Sequence, residues 1–418
     1  MGLTAGGLNG RRFRTSTQLP NGFRDLWIDA VRQHALEPDL DASDGEPRVG
    51  WVDVFEPANR TFELNTFLFD RFVALSLRVD KKTVNGAFRK VALAERIAAI
   101  KEQRGVERLS KAEKTEIQDS LDVELLARAL PSVSTCDLAW DTHTGEVVVF
   151  SGSESTVELV RAHFEATFDQ RLRPERMCDW LAEKLAWSEI GQRAESFLPG
   201  ARGTAGVGEI VDGWNQDDPL EGAGKGIAAD FITWLWLQSE STDGLFRVVE
   251  HVSGAEVGEG EDGEEDGWNE VTETLRRADL SLWLESKLKL QDVSAEEAPD
   301  TTILLGVAPS VTPAARRDLH GGKRPVEARI GLKMDEIECA LTVAAGDDGV
   351  QITGIKLPFE VKDGQEELVF ERMMLLDLLH TTLKKLFQQF FLARTSPAWT
   401  ERVEAWLAED AEHPAAAK

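Results

Sequence analysis

Tyrosine is absent from this 418-residue chain, although twelve tryptophans and nineteen phenylalanines are present. Physical chemistry gives no reason for that bias. Cysteine is scarce: Cys136, Cys178 and Cys339 are far apart and odd in number. Such a set excludes a disulfide framework and points to a reducing compartment. The thiols also lack the paired spacing of a zinc site, so no metal is expected. No run of 18 apolar residues occurs, which excludes a membrane-spanning helix. The opening MGLTAGGLNGRRFR lacks the apolar segment of a secretory signal. A soluble, cytoplasmic protein is therefore expected. No repeat of 20–50 residues is present, which excludes a solenoid.

Positive charge is also in deficit. Lys and Arg number 47 against 74 Asp and Glu, a formal net charge of -27. That balance keeps a chain soluble and disfavours polyanions as general partners. It does not exclude nucleic acid, because phosphates respond to the field within about 8–10 Å at physiological salt.

One block runs against the deficit. KKTVNGAFRKVALAERIAAIKEQRGVERLSKAEK, Lys81 to Lys114, holds ten basic residues and four Glu, a local +6 that leaves -33 elsewhere. Val84, Phe88, Val91 and Ala98 share one helical face, and Leu93, Ile97 and Ile100 another. The pattern predicts a helix packed on two sides and ended by Gly105. SKAE places Glu113 three residues after Ser110, a capping box for a second helix reaching about Ala129. Charge alone leaves a solvated helix face with i,i+4 partners such as Glu107 and Lys111 as the better account.

Around the block, a helix is predicted from Gly22 to about His34. A half-buried strand follows from the alternation of Val73, Leu75, Leu77 and Val79. DTHTG reads as a turn between two strands, and Ser153 or Ser155 as the start of another helix. The middle of the chain carries Trp180, Trp187, Trp214, Trp234, Trp236, Trp268 and Trp283. GARGTAGVGEIVDG reads as a loop, and FITWLWLQSE as a helix rather than a strand. From Glu256 to Glu270, eight of fifteen residues are acidic, the composition of a solvated loop. EIECALTV and VQITGIKLPF read as a hairpin joined by AAGDDG. From Glu366 to about Arg394 a long helix is expected, with Leu368, Leu375, Leu379, Leu383, Leu386 and Phe390 in one stripe. Asp377, Thr381, Lys384 and Gln388 mark its narrow polar side. The fold class is α+β, with mixed or antiparallel sheets and long helices in several domains. Boundaries are expected at 1–172, 173–324 and 325–418.

Motifs for chemistry are weak. In LEGAGKGI, Gly222, Gly224, Lys225 and Gly226 fail the spacing and the terminal hydroxyl of a phosphate loop. No cofactor is expected. Asp279, Glu285 and Lys287 are the nearest approach to a metal-dependent nuclease set, though E-x-K is frequent on solvated strands. His143 lies beside Asp141 in a turn without a neighbouring nucleophile. His251 and His320 have no motif around them. No catalytic residue is assigned.

The order and spacing of these pieces resemble a known family. VGWV, the apolar strand, KKTVNGAFRK, LSKAEK, ELLARALP and the AWDTHTGEVVVF hairpin are similar to RdgC, the bacterial recombination-associated proteins. EARIGLKMDEIECALTVAAGDDGVQITGIKLPF and the long helix resemble that family's closing sheet and helix. The resemblance implies a non-enzymatic protein that binds double-stranded DNA with little regard to sequence. It implies a head-to-tail or two-ended homodimer that closes into a ring around the duplex, associated with the nucleoid, and limits RecA loading. Its DNA contacts would be Lys81, Lys82, Arg89, Lys90, Arg96, Lys101, Arg104, Arg108, Lys111 and Lys114, with Arg11, Arg12 and Arg14 secondary. Two departures stand out: a longer Trp-rich middle, and Leu130-Pro131-Ser132-Val133 where aromatic and basic side chains are expected. The alternatives are a metal-dependent exonuclease using Asp279, Glu285 and Lys287, and a protein-interaction module that has lost DNA.

Overall fold

The computed structural model describes residues 2–4, 7–18, 22–37, 46–194, 218, 220, 223–241, 245–247, 279–292, 299–334, 336–347, 349–358 and 364–412. GARGTAGVGEIVDG, Trp214, Trp268, the acidic run and residues 413–418 of the tail lie outside them. The chain forms two units: Arg11–Arg173 with Gly2–Thr4, and Pro174–Lys418 with Ala5–Gly10.

The first unit runs β1 (Arg11–Arg14), α1 (Phe23–Gln33), β2 (Arg48–Val52), α2 (Leu64–Phe67), β3 (Leu68–Phe69) and β4 (Phe72–Lys82). It continues with α3 (Gly86–Arg104), α4 (Lys111–Arg128), β5 (Pro131–Asp141), β6 (Glu146–Val149) and α5 (Glu154–Phe168). Its sheet has the order β2-β4-β5-β6-β1, extended by the short β7 (Arg173–Pro174), with β3 on β4. One face carries Val73, Leu75, Leu77, Leu138 and Trp140 against Trp27 of α1 and Phe164 and Phe168 of α5. Between ring centroids Trp140 lies 4.6 Å from Trp27, tilted, and 5.2 Å from Phe164, edge-on. The expected half-buried strand is corrected: Ala74 and Ser76, on the opposite face of β4, are also buried. Small side chains at those positions suit a strand covered on both faces.

β4 and β5 pair without interruption from Phe72–Asp141 to Lys82–Pro131. The helices α3 and α4 are the whole connection between those strands. They therefore form a helical hairpin at the end of a β-ribbon. Asn85 caps α3 by accepting from the Ala87 and Phe88 amides, and Gly105 ends it in the left-handed region at φ 62°. The capping box at Ser110 and Glu113 forms as the sequence reads.

The second unit runs α6 (Met177–Ala182), α7 (Trp187–Ala194), α8 (Gly224–Ser241), β8 (Leu245–Arg247), β9 (Asp279–Gln291) and β10 (Thr301–Leu305). Then come α9 (Pro313–His320), β11 (Arg324–Met334), β12 (Ile337–Gly346), β13 (Gly349–Lys356), α10 (Gln365–Arg394) and α11 (Trp399–Glu412). The sheet order is β10-β9-β11-β12-β13, with β8 on β9. α8 packs on this sheet and on α10. From Ile227 to Gln238 every residue but Asp230 is buried, which explains why that stretch is almost wholly apolar.

The boundary expected at 324/325 does not divide the unit. β9 from the middle stretch and β11 from the last stretch are hydrogen-bonded neighbours in one sheet. Among the described residues no helix is long and apolar enough to cross a membrane.

Candidate nucleic-acid interface

The arm formed by α3 and α4 places the basic block on a projecting element. No residue of α3 is buried, and in α4 only Leu121 is. The expectation that α3 packs on two sides is therefore corrected. Leu93, Ile97 and Ile100 are half-buried, whereas Phe88 and Val91 are 59% and 57% exposed.

Ion pairs zip the hairpin. Arg89 makes a bidentate pair with Asp122, Arg96 pairs with Glu124, and Arg104 Nη1 lies 2.9 Å from Glu113. The hydrogen bonds that Arg89 donates to the Asp122 carboxylate raise the pKa of its guanidinium. The Ser110 backbone amide lowers that of the Glu113 carboxyl. Lys82 is buried and reaches the Ala127 carbonyl at 3.5 Å. Lys81, Lys90, Lys101, Arg108, Lys111 and Lys114 make no ion pair with a described residue. The structure thus divides the ten residues into four with partners in the arm and six without an ion pair to a described residue. α4 also adds carboxylates: from Lys81 to Arg128 the count is eleven basic and eight acidic, net +3.

The secondary candidates are engaged as well. Arg11 pairs with Glu154, and Arg12 and Arg14 meet Glu146 at 3.0 and 3.5 Å.

A second basic surface escaped the sequence reading. In β9, Leu280, Leu282, Leu284, Leu288 and Leu290 are buried, so the alternating residues form the opposite face. With the register of β11, β12 and β13, that face carries Lys287, Lys289, Arg324, Arg329, Lys333 and Lys356. Glu285, Glu327 and Glu338 share it, giving another local +3. Lys287 pairs with Glu327 at 2.5 Å, and Arg329 with Glu285 at 3.3 Å. Lys289, Lys333 and Lys356 make no ion pair with a described residue. The signal was the period of two in LSLWLESKLKLQ and PVEARIGLKM, where lysine and arginine alternate with leucine and isoleucine.

The nuclease set is not gathered around one point. Glu285 and Lys287 engage Arg329 and Glu327, and position 279 lies six residues from Glu285 on the same strand. At about 3.3 Å per residue that separation is roughly 20 Å, beyond the reach of a shared metal ion. Gly224, Lys225 and Gly226 form the first turn of α8. His143 sits exposed in its turn, its amide bonded to Asp141 Oδ1 at 2.9 Å. All three cysteines are buried, with burial pushing Cys136 and Cys178 to about 12 and Cys339 to about 11.

The first unit is thus of a recognisable class: an α+β sheet that projects a basic helical hairpin between two paired strands. The model of the RdgC family, described as "Putative exonuclease, RdgC", matches residues 24–198. At family level the match supports a recombination-associated DNA-binding protein. Its description does not decide between binding and cleavage. The match ends before β9, so the resemblance of the closing sheet and helix has no counterpart in it. No curated protein matches the chain.

Proposed function

We propose that this protein binds duplex DNA without reading its sequence and thereby modulates homologous recombination by limiting RecA loading. The observation that supports this reading most is the family match over the unit that bears the arm. Six cations of that arm make no ion pair with a described residue. Free lysine and arginine side chains neutralise phosphates and release counterions, which yields affinity without base readout. The finer reading is a homodimer that encircles the duplex, free of cofactor and metal.

Fluorescence anisotropy on two duplexes of unrelated sequence tests the core of it. Both should bind equally, and four phosphate contacts should weaken binding roughly a hundredfold between 50 and 200 mM salt. Binding that ignores salt, or follows sequence, sinks the reading. Absence of binding favours a protein-interaction module instead. Encirclement predicts slower loss from closed circular DNA than from linear DNA of the same length.

A second reading, a metal-dependent exonuclease, draws on the family's printed description. Asp279, Glu285 and Lys287 are too dispersed to carry it, so it has no assigned residues. Incubating end-labelled duplex with Mg²⁺ separates the two: shortening that a chelator abolishes favours the enzyme, and intact DNA favours the binder.

A further inference from the structure

We propose that the open face of the second sheet holds unpaired nucleotides, with the Trp283 indole as a stacking platform for a base. The inference rests on the DNA-binding reading and assigns a class of ligand to a surface outside the arm.

Trp283 stands on the face of β9 opposite the buried leucines and is only half-buried. It is held there by Gly331, its partner in the register of β11. A Cβ at 331 would lie 2.1, 2.3 and 2.5 Å from Trp283 Cε2, Cζ2 and Nε1. The indole therefore occupies the space above the glycine backbone, and any larger residue there would displace it. The next residue across is Ala340 of β12, again small. A large ring seated on small neighbours is fixed in orientation while keeping part of its surface open.

Its electrostatic setting matches a nucleic-acid strand. Arg329 and Lys333 flank Gly331 along β11, while Lys287 and Lys289 follow Trp283 along β9. Lys289 and Lys333 make no ion pair with a described residue. Arg329 is immobilised by Glu285 and Thr342. The face carries net positive charge in a chain of -27. Duplex bases hide their π faces in the stack, so an indole on a sheet offers them nothing. A single strand exposes those faces, and aromatic stacking combined with backbone cations is the general way of holding it.

Anisotropy with a labelled 20-nucleotide oligothymidylate and a 20-base-pair duplex, on the full chain, tests this. Trp283→Ala should weaken oligothymidylate binding roughly tenfold while duplex binding stays within about twofold. Trp283→Phe should retain most single-strand affinity. Gly331→Val keeps every charge but evicts the indole, and should behave as Trp283→Ala; circular dichroism confirms that each variant is folded. Unchanged oligothymidylate binding in Trp283→Ala overturns the proposal, as does an equal loss on duplex and single strand. A wild-type chain that binds duplex but no single strand overturns it and leaves the duplex reading intact. Binding of neither overturns both.

Discussion

Asp137 and His163 give the first unit opposite responses to pH. Burial raises the Asp137 carboxyl, against hydrogen bonds from Ser76 Oγ and the Leu3 amide, both at 2.8 Å, that lower it. Between the ordinary value of 3.8 and its raised folded value, the folded chain holds a proton that the unfolded chain has released. Stability contributed here is therefore lost as pH rises through that window. Burial lowers His163, whose Nε2 lies 3.1 Å from the His34 carbonyl. Below the ordinary 6.5 the unfolded chain binds the proton first, so stability falls as pH falls. Urea unfolding of wild type, Asp137→Asn and His163→Gln from pH 4 to 8 should separate the two slopes. The advantage of wild type over Asp137→Asn should shrink as pH rises from 4, and that over His163→Gln should shrink below 6.5. Neither residue was marked in the sequence. A short Asp in SVSTCDLAW reads as an ordinary polar strand position, and only the packing of Leu3 and Ser76 beside it shows the burial.

Elements show more plainly what a one-dimensional pattern conveys. The stripe Leu379, Leu383, Leu386 and Phe390 of α10 is buried as its spacing implies. Lys384 and Gln388 were assigned to the polar side, yet they are 7% and 3% exposed. Lys384 Nζ meets Glu183 at 2.8 Å, and Gln388 donates to the Trp180 carbonyl at 2.6 Å. Polarity in the sequence marks a need for partners, and here the partners come from the neighbourhood of α6 rather than from water. Glu240 at the end of α8 makes the same point with larger energies. It accepts the indole N–H of Trp236 at 2.7 Å and that of Trp406 at 3.0 Å, and pairs with Arg316 at 2.6 Å. The Arg316 guanidinium lies 5.2 and 5.5 Å from the same two rings. One carboxylate thus ties α8, α9 and α11 together. Glu240→Ala removes the acceptor for two indoles and a guanidinium at once. Charge-assisted hydrogen bonds are worth about 1.5–3 kcal/mol each and are not additive, so a loss of about 3 kcal/mol is expected from the urea midpoint. Glu240→Gln should recover part of it by accepting one indole. A cost below about 1 kcal/mol for Glu240→Ala would mean that the three helices do not depend on this residue.

At the scale of the whole molecule the informative quantity is the segregation of charge. The arm and the open sheet face are each locally +3, so the remaining residues carry a large negative excess over a total of -27. The arm was legible because its cations are consecutive in the chain. The sheet face was not, because its cations alternate with leucines and come from strands distant in sequence. On the proposed reading, both surfaces attract phosphate only while the acidic remainder is screened. At 0.1 M salt the Debye length is about 10 Å, and at 0.01 M about 30 Å, so lowering salt lets distant carboxylates repel the same DNA. A uniformly basic protein gains affinity without limit in this range, with log K linear in log salt. Here the plot should be linear above about 0.1 M, then flatten or turn over towards 0.01 M, where the acidic surface enters the field. Lys90→Glu with Lys114→Glu should lower the linear slope by roughly two if both contact phosphate. The same change at Lys289 and Lys333 should leave the duplex slope unaltered and lower the single-strand slope. Anisotropy titrations from 10 to 300 mM salt measure all of these. A plot that remains straight to 10 mM would show that the negative charge lies too far from bound DNA to act, even with little screening.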